Sequence, residues 1–301
     1  MTLDFHTLSI NDRVRVQAVS LRAGRRNCNF NFANLVGWQR WFGTEVCVLA
    51  DAVVLRFSLE GERAYMLCMQ GVPTCELLQS LGEDSAGKLK LLGLEDEAAQ
   101  QLQQNACCRG IDIGVESVRD QYDYIYRRAG LAALQGGNLK GKRNHVNRFL
   151  TLYPDYEYRP LSPVLFDDCR KVLSVWNNEK EHDNPSYGDT IEAEHQVMET
   201  IFSHWDELGM IGGSIYVDGR MVAFTYGSAV TDDTFDVCVE KADRNVEGAF
   251  SIINQQFCTH LPEHFIYVNR EEDMGLPGLR KAKLSYHPEI LLTYNIVTFN
   301  A

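Results

Sequence analysis

The sequence lacks a long apolar segment, a paired-cysteine motif and a positive net charge, and each absence excludes a class of protein. No apolar run reaches the roughly 18 residues of a membrane-spanning helix. The nine cysteines include no C-x-x-C pair and the eight histidines are scattered, so we predict reduced thiols and no metal site. We assign no role to the adjacent Cys107 and Cys108. A net charge of −12 excludes the generally basic surface of a nucleic-acid-binding protein.

The N-terminus also lacks a signal-peptide pattern. Residues 1–15 contain no basic segment followed by an apolar stretch. We therefore expect a cytoplasmic protein, one that can also act at the periphery of a membrane. Its 45% hydrophobic and 23% charged residues are ordinary for a globular protein. The 301 residues are enough for two domains of roughly 100–200 residues each.

What the chain does contain is an unevenly placed positive charge. Between residues 124 and 154 there is no Asp or Glu. The same stretch holds six basic residues: Arg127, Arg128, Lys140, Lys142, Arg143 and Arg148. Because the rest of an acidic surface would repel an anion, this basic segment favours a local anionic ligand. The alternative is a basic linker between two domains.

Hydrophobic periodicity and turn residues predict an α+β protein in which one order of elements occurs twice. In the second half we predict helices over 164–177, from the Asp189 capping box onward, and over 247–261, with strands over 211–217, 220–228, 234–240, 264–268 and 290–299. In the first half we predict helices over 11–22, 31–41, 73–81 and 95–104, with strands over 45–50, 53–59, 64–69, 88–92 and 109–115. We place the two domains at 1–136 and 137–301, divided at a glycine-rich turn. Alternation over 234–240 predicts that Asp236, Cys238 and Glu240 share one face of their strand.

Three meandering strands, a helix, a strand, a short helix and a final strand resemble the acetyltransferase-like fold of N-acyltransferases. Two such units in tandem resemble the Fem-type aminoacyltransferases. The run GNLKGKRNHVNRFLTLYP (137–154) and the run NREEDMGLPGLRKAKLSYHP (269–288) resemble the family of phosphatidylglycerol lysyltransferase C-terminal domains, specifically its soluble, uncharacterised branch. This resemblance implies transfer of an aminoacyl group from charged tRNA to a lipid headgroup.

The chain departs from these patterns in two ways. It lacks the multi-span membrane domain of the lipid-modifying members. Coenzyme-A-dependent acetyltransferases have a small residue at the position of Phe250, where pyrophosphate approaches the backbone at the start of a helix. Phe250 and the nearby Glu247 disfavour that approach. We therefore predict no cofactor, regard coenzyme A as doubtful, and expect aminoacyl-tRNA as the donor.

Two residues match the positions of catalytic groups in acetyltransferase-like enzymes. Glu240 ends a strand and is predicted to act as a general base, a role typically worth about 10²–10⁴-fold in rate. The alternative is a strand-end carboxylate paired with Lys241 or Arg244. Tyr286 precedes the last strand and is predicted to act as a general acid or an oxyanion partner. The alternative is a ring that packs beside Pro288.

The 269–288 run also supplies candidate substrate-binding residues. Arg280 and Lys283 share a face of a short helix opened by Pro277, and we predict that they clamp a phosphate or the 3′ end of a tRNA, with Lys281 facing another partner. Asn269, Arg270 and Asp273 match the same family motif. For Arg270 and Asp273 a structural ion pair is the favoured alternative.

The 137–154 run supplies the remaining candidates for substrate binding: Lys142, Arg143, His145 and Arg148. A cluster of like charges this dense is disfavoured without a counter-ion. His145 by itself is more typical of a packing or hydrogen-bonded residue.

The leading hypothesis is therefore an acyl- or aminoacyltransferase whose partners are the acceptor end of charged tRNA and an anionic lipid headgroup. The first alternative is a non-catalytic binding protein that kept the fold. The second is a coenzyme-A-dependent N-acetyltransferase that acts on a small amine. The sequence specifies neither the donor and acceptor nor the oligomeric state.

Overall fold

The computed structural model describes residues 2–59, 61–105, 110–183 and 188–300. Cys107 and Cys108 lie outside these ranges. The predicted capping side chain of Asp189 also lies outside the described part, although the helix that it was predicted to open is present from Gly188. Within the described ranges no helix is both long and apolar enough to span a lipid bilayer.

The first sheet is built mainly from the N-terminal half of the chain. Its strands are β1 (His6–Thr7), β2 (Glu45–Val48), β3 (Ala52–Leu59), β4 (Glu62–Met69), β5 (Lys90–Leu94), β6 (Asp112–Ser117) and β14 (Asn295–Asn300). They lie in the order β1-β2-β3-β4-β5-β14-β6. The β4–β5 pair is parallel and the other neighbours are antiparallel.

The second sheet repeats this arrangement. Its strands are β7 (Asp123–Arg127), β8 (Glu157–Pro160), β9 (Ile211–Val217), β10 (Arg220–Ala229), β11 (Thr234–Ala242), β12 (Tyr267–Asn269) and β13 (Ile290–Leu292). They lie in the order β8-β9-β10-β11-β12-β7-β13, with a parallel β11–β12 pair and antiparallel pairs elsewhere. The β9–β10 hairpin turns at Asp218-Gly219, both with positive φ, as the Asp-Gly signal predicts.

Helices cover both sheets. They are α1 (Arg13–Ala23), α2 (Phe32–Gly37), α3 (Gln39–Phe42), α4 (Cys75–Asp84), α5 (Asp96–Gln104), α6 (Arg128–Ala133), α7 (Lys140–Leu152), α8 (Phe166–Asp183), α9 (Gly188–Ser203), α10 (Trp205–Leu208), α11 (Ala249–His260) and α12 (Pro277–Leu284). Pro277 opens α12 at its first turn, as predicted. The α+β class and the tandem acetyltransferase-like arrangement are confirmed.

The two sheets exchange one strand each. In the first sheet the strand between β5 and β6 is β14, from the end of the chain, and in the second sheet the strand between β12 and β13 is β7, from the first half. The predicted single strand over 290–299 is therefore wrong. It is two strands, β13 and β14, that belong to different sheets, because β13 pairs with β7 while β14 pairs with β5 and β6.

This exchange means that the sheets do not divide at residue 136. Each sheet takes one strand from the far side of that position. One apolar core also contains side chains of both halves, among them Phe32, Met66, Ile201 and Tyr226. The domain limits 1–136 and 137–301 remain a prediction about the chain, whereas the sheets are interlocked across them.

A β-bulge interrupts the second sheet near its centre. Tyr226 pairs with Val239 but Ser228 pairs with Asp236, so Gly227 lies opposite two residues of β11. A Cβ at Gly227 would lie 1.8 Å from the backbone oxygen of Asp236, and only glycine fits this position. The extra residue reverses the side-chain alternation that follows it. The prediction that Asp236 and Glu240 share a face is therefore wrong.

Candidate functional site

The candidate site lies where the two parallel strands of the second sheet separate. β11 and β12 pair at three positions, the last of which joins Asp236 to Asn269. Beyond this point the two strands no longer pair, and polar side chains lie between them. The bulge places Glu240 on the side of α11, where Asn254 Nδ2 donates to it at 3.3 Å, and Asp236 on the opposite side, where Asn31 Nδ2 donates to it at 2.9 Å.

On the α11 side a buried ion pair fills the gap between the strands. Arg270 Nη2 donates to Glu240 Oε1 at 2.8 Å, and the two side chains are only 13% and 12% exposed. This pairing corrects both alternatives drawn from the sequence. Lys241 instead pairs with Glu194 at 2.6 Å, and Arg244 lies over the ring of Trp176.

The ion pair leaves hydrogen-bonding groups unused. Among the described residues, Arg270 Nη1 and Asn254 Oδ1 are buried and have no hydrogen-bond partner. Burial lowers the pKa of Arg270, but the Glu240 carboxylate and neighbouring phenols outweigh it, so the pKa lies above its ordinary value. The guanidinium is therefore a fixed positive charge with a spare N–H group.

Tyr286 and Lys142 complete this cluster. The Tyr286 ring is 7% exposed and contacts Lys142 Nζ, 4.2 Å from the ring centre, and the Arg270 guanidinium, 4.9 Å away. Burial raises the pKa of the Tyr286 phenol, so it keeps its proton and can donate a hydrogen bond. Burial and the nearby Arg270 lower the pKa of Lys142. We call Glu240, Arg270, Tyr286 and Lys142 the basic cluster.

A cavity of about 340 Å³ opens beside Tyr286. Tyr126 and Tyr286 line it together with Leu131, Leu139 and the Gly136-Gly137 turn that precedes α7. Its volume falls in the range of small-molecule sites, roughly 300–1,000 Å³. The two sequence motifs of the basic cluster therefore meet at one cavity.

The opposite side of the strand gap holds buried carboxylates that the sequence analysis did not select. Asp123 and Asp236 are fully buried, and Glu271 and Glu272 follow β12. Burial, and after it neighbouring carboxylates, raise the pKa of Asp236 and Glu271 well above the ordinary range, and raise that of Asp123 to about 6. We call these four the acidic cluster.

Segment 27–34 of the first half packs against the acidic cluster. Asp123 accepts from the backbone N–H of Cys28 at 2.7 Å, and Asn34 Nδ2 donates to Glu271 at 2.8 Å. Asn269 donates to Asp123 at 2.8 Å. The only sequence signal for this site was the unusual run of three acids at 271–273, because its other members are far apart in the chain.

The loop between β12 and α12 is held by its own charges. Asp273 accepts from Arg280 Nε, Arg119 Nη1 and Tyr124 Oη at 2.8, 3.1 and 2.5 Å. The expected Arg270–Asp273 ion pair is therefore wrong, since Arg270 pairs with Glu240. Burial raises the pKa of Asp273, but these hydrogen bonds outweigh it and hold the pKa well below its usual range.

The proposed clamp of Arg280 and Lys283 is already occupied by the protein. Arg280 binds Asp273 and Asp120, and Lys283 is buried with its Nζ on the backbone carbonyls of Arg270, Glu271 and Glu272. Lys281 is exposed on the other side of α12. These contacts give Arg280 and Lys283 a structural role and correct the expectation that they share an open face.

The candidate residues on the basic helix α7 also differ in what they contact. Arg143 donates to the carbonyls of Leu134 and Gly136, Arg148 forms an exposed pair with Glu247 at 3.4 Å, and His145 is exposed. Among the candidates on this helix, Lys142 is the one that the structure brings to the basic cluster.

α7 also covers the start of α11. Gly248 precedes α11 with φ +85°, and a Cβ there would lie 2.7 Å from the backbone oxygen of His145 and 2.9 Å from the Phe149 Cβ. Phe250 packs against Trp176 at 5.6 Å between ring centres. This turn corresponds to the pyrophosphate-binding turn of coenzyme-A enzymes, and here a helix lies against it.

Known proteins resemble this chain in sequence and in fold. The sequence model of the family described as "Phosphatidylglycerol lysyltransferase, C-terminal" matches residues 22–297. The chain belongs to this family. The similarity therefore includes both halves, the basic cluster and the acidic cluster.

Two solved structures of relatives cover nearly the whole chain. A conserved protein of unknown function from Bacteroides thetaiotaomicron is 34% identical, with a TM-score of 0.91 over 99% of this chain and 100% of the other. The C-terminal domain of a putative lysylphosphatidylglycerol synthetase from Agrobacterium fabrum is 12% identical, with a TM-score of 0.63 over 97% and 93%.

An uncharacterised protein from Mycoplasmoides gallisepticum is 21% identical over 196 residues. The match spans 62% of this chain and 62% of that relative. Family membership and the observed strand order together agree with the acyltransferase-like fold that the element order predicts.

Proposed function

We propose that this family member is a transferase that moves an aminoacyl group from charged tRNA to an amine or hydroxyl acceptor, such as a lipid headgroup. The observation that carries the proposal is the unused N–H group of the buried Arg270, beside the Tyr286 phenol and the Glu240 carboxylate. Family membership makes acyl transfer the chemistry to consider first.

Acyl transfer needs donors for a developing oxyanion. The acceptor's nitrogen or oxygen forms a bond to the ester carbonyl carbon, and the carbonyl oxygen takes the negative charge. Arg270 Nη1 and the Tyr286 hydroxyl are suited to bind that oxygen in a site away from water. As the tetrahedral intermediate collapses, the bond to the ribose oxygen breaks, and Tyr286 can supply the proton that the leaving hydroxyl needs.

Glu240 can serve this reaction in one of two ways. As a base it takes the proton of the attacking acceptor. As the counter-ion of Arg270 it fixes the guanidinium, and a carboxylate 2.8 Å from a guanidinium nitrogen is a weaker proton acceptor. The ion pair favours the second role, in which the acceptor's proton passes to Tyr286 as that phenol gives its own proton to the ribose oxygen. The first role is the alternative to be tested.

The cavity beside Tyr286 would receive the reacting part of the substrate. Its lining reaches Leu139, the residue before α7, and Lys140 and Lys142 follow in the first turn of that helix. The acceptor end of a tRNA and an anionic lipid headgroup both carry phosphate, which suits this end of the cavity.

The test is a transfer assay with radiolabelled aminoacyl-tRNAs, tried one amino acid at a time, and vesicles that contain phosphatidylglycerol. We expect label in the lipid fraction, and we expect Tyr286→Phe to reduce its rate about 10²–10³-fold. Lys88→Met, an exposed change in the first sheet, is the matched control. Transfer that is absent with every amino acid, or unchanged in Tyr286→Phe, would contradict the proposal.

A binding protein without turnover is the second candidate. The contact of α7 with the Gly248 turn favours it, because that contact disfavours an acyl-coenzyme-A donor. Calorimetry with acetyl-coenzyme A is expected to show no low-micromolar binding. A protein that binds charged tRNA at low salt but transfers nothing would identify the second candidate.

A further inference from the structure

Two members of the acidic cluster and one thiol meet at the point where β11 and β12 separate. One ligand atom from each of Asp236, Cys238 and Glu271 lies within 4.8 Å of the other two. Asp236 is fully buried, and Cys238 and Glu271 are partly buried. Metal–ligand bonds of about 2.0–2.3 Å place neighbouring ligands roughly 3–4 Å apart, so small side-chain shifts would complete a coordination sphere.

An independent observation points to a ligand at this position. Asp236 Oδ2 accepts from Asn31 and Asn34, but Asp236 Oδ1 is buried and has no hydrogen-bond partner among the described residues. A buried carboxylate oxygen without a partner is unfavourable unless a proton or a cation binds it. Asn31 Nδ2 donates to the Cys238 sulfur at 3.4 Å, whereas the acceptors of the thiol proton are distant among the described residues, the nearest being the backbone oxygen of Asp236 at 3.9 Å.

The charge balance of the surroundings also favours a cation. Four carboxylates face one another here, and Lys283 is the buried cation beside them. Its ammonium group already donates to three backbone carbonyls and, within the described residues, forms no ion pair with a carboxylate oxygen. Isolated carboxylates of this density are stable only if they are protonated or paired.

We propose that Asp236, Cys238 and Glu271 bind one divalent metal ion, for which Zn²⁺ has the matching ligand chemistry. One thiolate and two carboxylates are ligands that Zn²⁺ accepts, and a fourth position would remain for water or substrate. The ion joins β11 to the loop after β12 and, through Asn31 and Asn34, to the first half of the chain. Binding displaces the thiol proton and any proton that the two carboxyl groups carry, so metal binding releases protons.

A second set of ligands provides the internal comparison. Cys28, Asp123 and Glu272 also place three ligand atoms within 4.8 Å of one another. There the thiol is 3.3 Å from Asp123 and 3.4 Å from Glu272, and Asp123 Oδ2 accepts from Cys28 and Asn269, so its hydrogen bonds are made. The unpartnered oxygen at Asp236 selects the first set.

The experiment uses the full chain after chelator treatment, with Co²⁺ as a spectroscopic probe that Zn²⁺ then displaces. We expect one equivalent of thiolate-to-cobalt charge-transfer absorption and a rise in Tm with Zn²⁺. Cys238→Ser should abolish the absorption and weaken binding at least about 100-fold, since outer partners of a metal site alone are worth 10–100-fold. Cys28→Ser should retain both signals.

A measurement on the unmodified chain guards against variants that do not fold. Zn²⁺ should protect Cys238 from alkylation, read by mass spectrometry, while the exposed Cys75 reacts equally with and without the ion. Absence of cobalt absorption, loss of the signal in Cys28→Ser rather than Cys238→Ser, or unprotected Cys238 at saturating Zn²⁺ would each overturn the proposal. None of these readouts depends on transferase activity.

Discussion

The two sheets have the same strand order, but the gap between the parallel strands is filled differently in each of them. In the first sheet β4 and β5 meet at Tyr65 and Leu91, and the adjoining cavity of about 20 Å³ is lined largely by apolar side chains. Arg25 closes it by donating to the carbonyls of Met69 and Gly71. In the second sheet the Glu240–Arg270 pair occupies the corresponding gap.

The difference begins in the backbone. β3 and β4 pair in unbroken register from Ala52–Met69 to Leu59–Glu62, whereas β10 and β11 are shifted by the bulge at Gly227. An unbroken strand would place Asp236 and Glu240 on one face. The bulge directs one carboxylate to each face. The two sheets thus share one scaffold and differ in the side chains at the strand gap.

The largest effect is expected from a substitution at the bulge. Gly227→Ala places a Cβ 1.8 Å from a backbone oxygen, and we expect a loss in the free energy of unfolding of about 4 kcal/mol or more. In the first sheet's helix α4, Gly82 has open space around it, so Gly82→Ala should be neutral or stabilise by up to about 1 kcal/mol. Urea denaturation measures both. Equal losses of stability in the two variants would show that the bulge does not require glycine.

The next largest effect is expected at the buried ion pair. Arg270→Met leaves Glu240 buried without its partner and should cost about 3 kcal/mol. Arg25→Met in the first sheet exposes carbonyls at a partly open site and should cost about 1 kcal/mol. The double variant Glu240→Gln with Arg270→Met should recover part of the loss. If Glu240→Gln alone destroys activity without loss of stability, Glu240 is the base rather than the counter-ion.

The glycines before the two corresponding helices provide a finer comparison. Gly248 has φ +85° and contacts α7, so Gly248→Ala should cost about 2 kcal/mol. Gly71 has φ +68° and open space around it, so Gly71→Ala should cost about 1 kcal/mol from backbone strain alone. Thermal unfolding of the two variants checks the difference. A smaller loss for Gly248→Ala would mean that α7 can move away from this turn.

The smallest expected effect is a pH dependence that both halves share. Asp273 is held by Arg280 and Tyr124, and Asp84 of the first half is held in the same way by Arg56 and Tyr65. Burial raises the pKa of each carboxyl, but the hydrogen bonds outweigh it and the pKa is lowered. Such a group stabilises the fold above its unfolded pKa near 4, and this contribution is lost as pH falls towards the folded pKa.

We therefore expect Asp273→Asn to destabilise the protein at pH 6 and this difference to shrink by about 1 kcal/mol at pH 3.5. Asp84→Asn should show the same sign and a smaller change, because the Asp84 side chain is 21% exposed and that of Asp273 is fully buried. Chemical denaturation at the two pH values measures this. A difference that grows on acidification would contradict the pKa direction.

Much of the fold followed from local patterns. Apart from the strand over 290–299, the predicted helices and strands lie within about six residues of observed elements, whereas β1, β7, β8, α6 and α7 were not predicted. The Asp218-Gly219 hairpin and the Pro277 helix start were predicted from turn residues. The family motifs contain Arg270, Tyr286 and Lys142, and the acetyltransferase-like strand order selected Glu240. The structure brings these four together. Their roles in catalysis remain predictions.

The errors have a common cause. The sequence placed Arg270 with the nearby Asp273, and assigned Arg280 and Lys283 to an external phosphate, because short separation was the only guide to charge pairing. The structure pairs Arg270 with Glu240, 30 residues away, and uses Arg280 and Lys283 inside the loop. The bulge was also missed, since a glycine within a strand predicts an irregularity without specifying its register.

The sequence by itself determined most of the element order, the twofold repetition and the family, because periodicity, turn chemistry and motif spacing are properties of neighbouring residues. Only the tertiary structure decided which strand enters which sheet and which charges meet. Asn31 reaches Asp236 across 205 residues, and Asp123 meets Asn269 across 146. These contacts depend on how two complete sheets pack and exchange strands, and no local pattern in the chain records that packing.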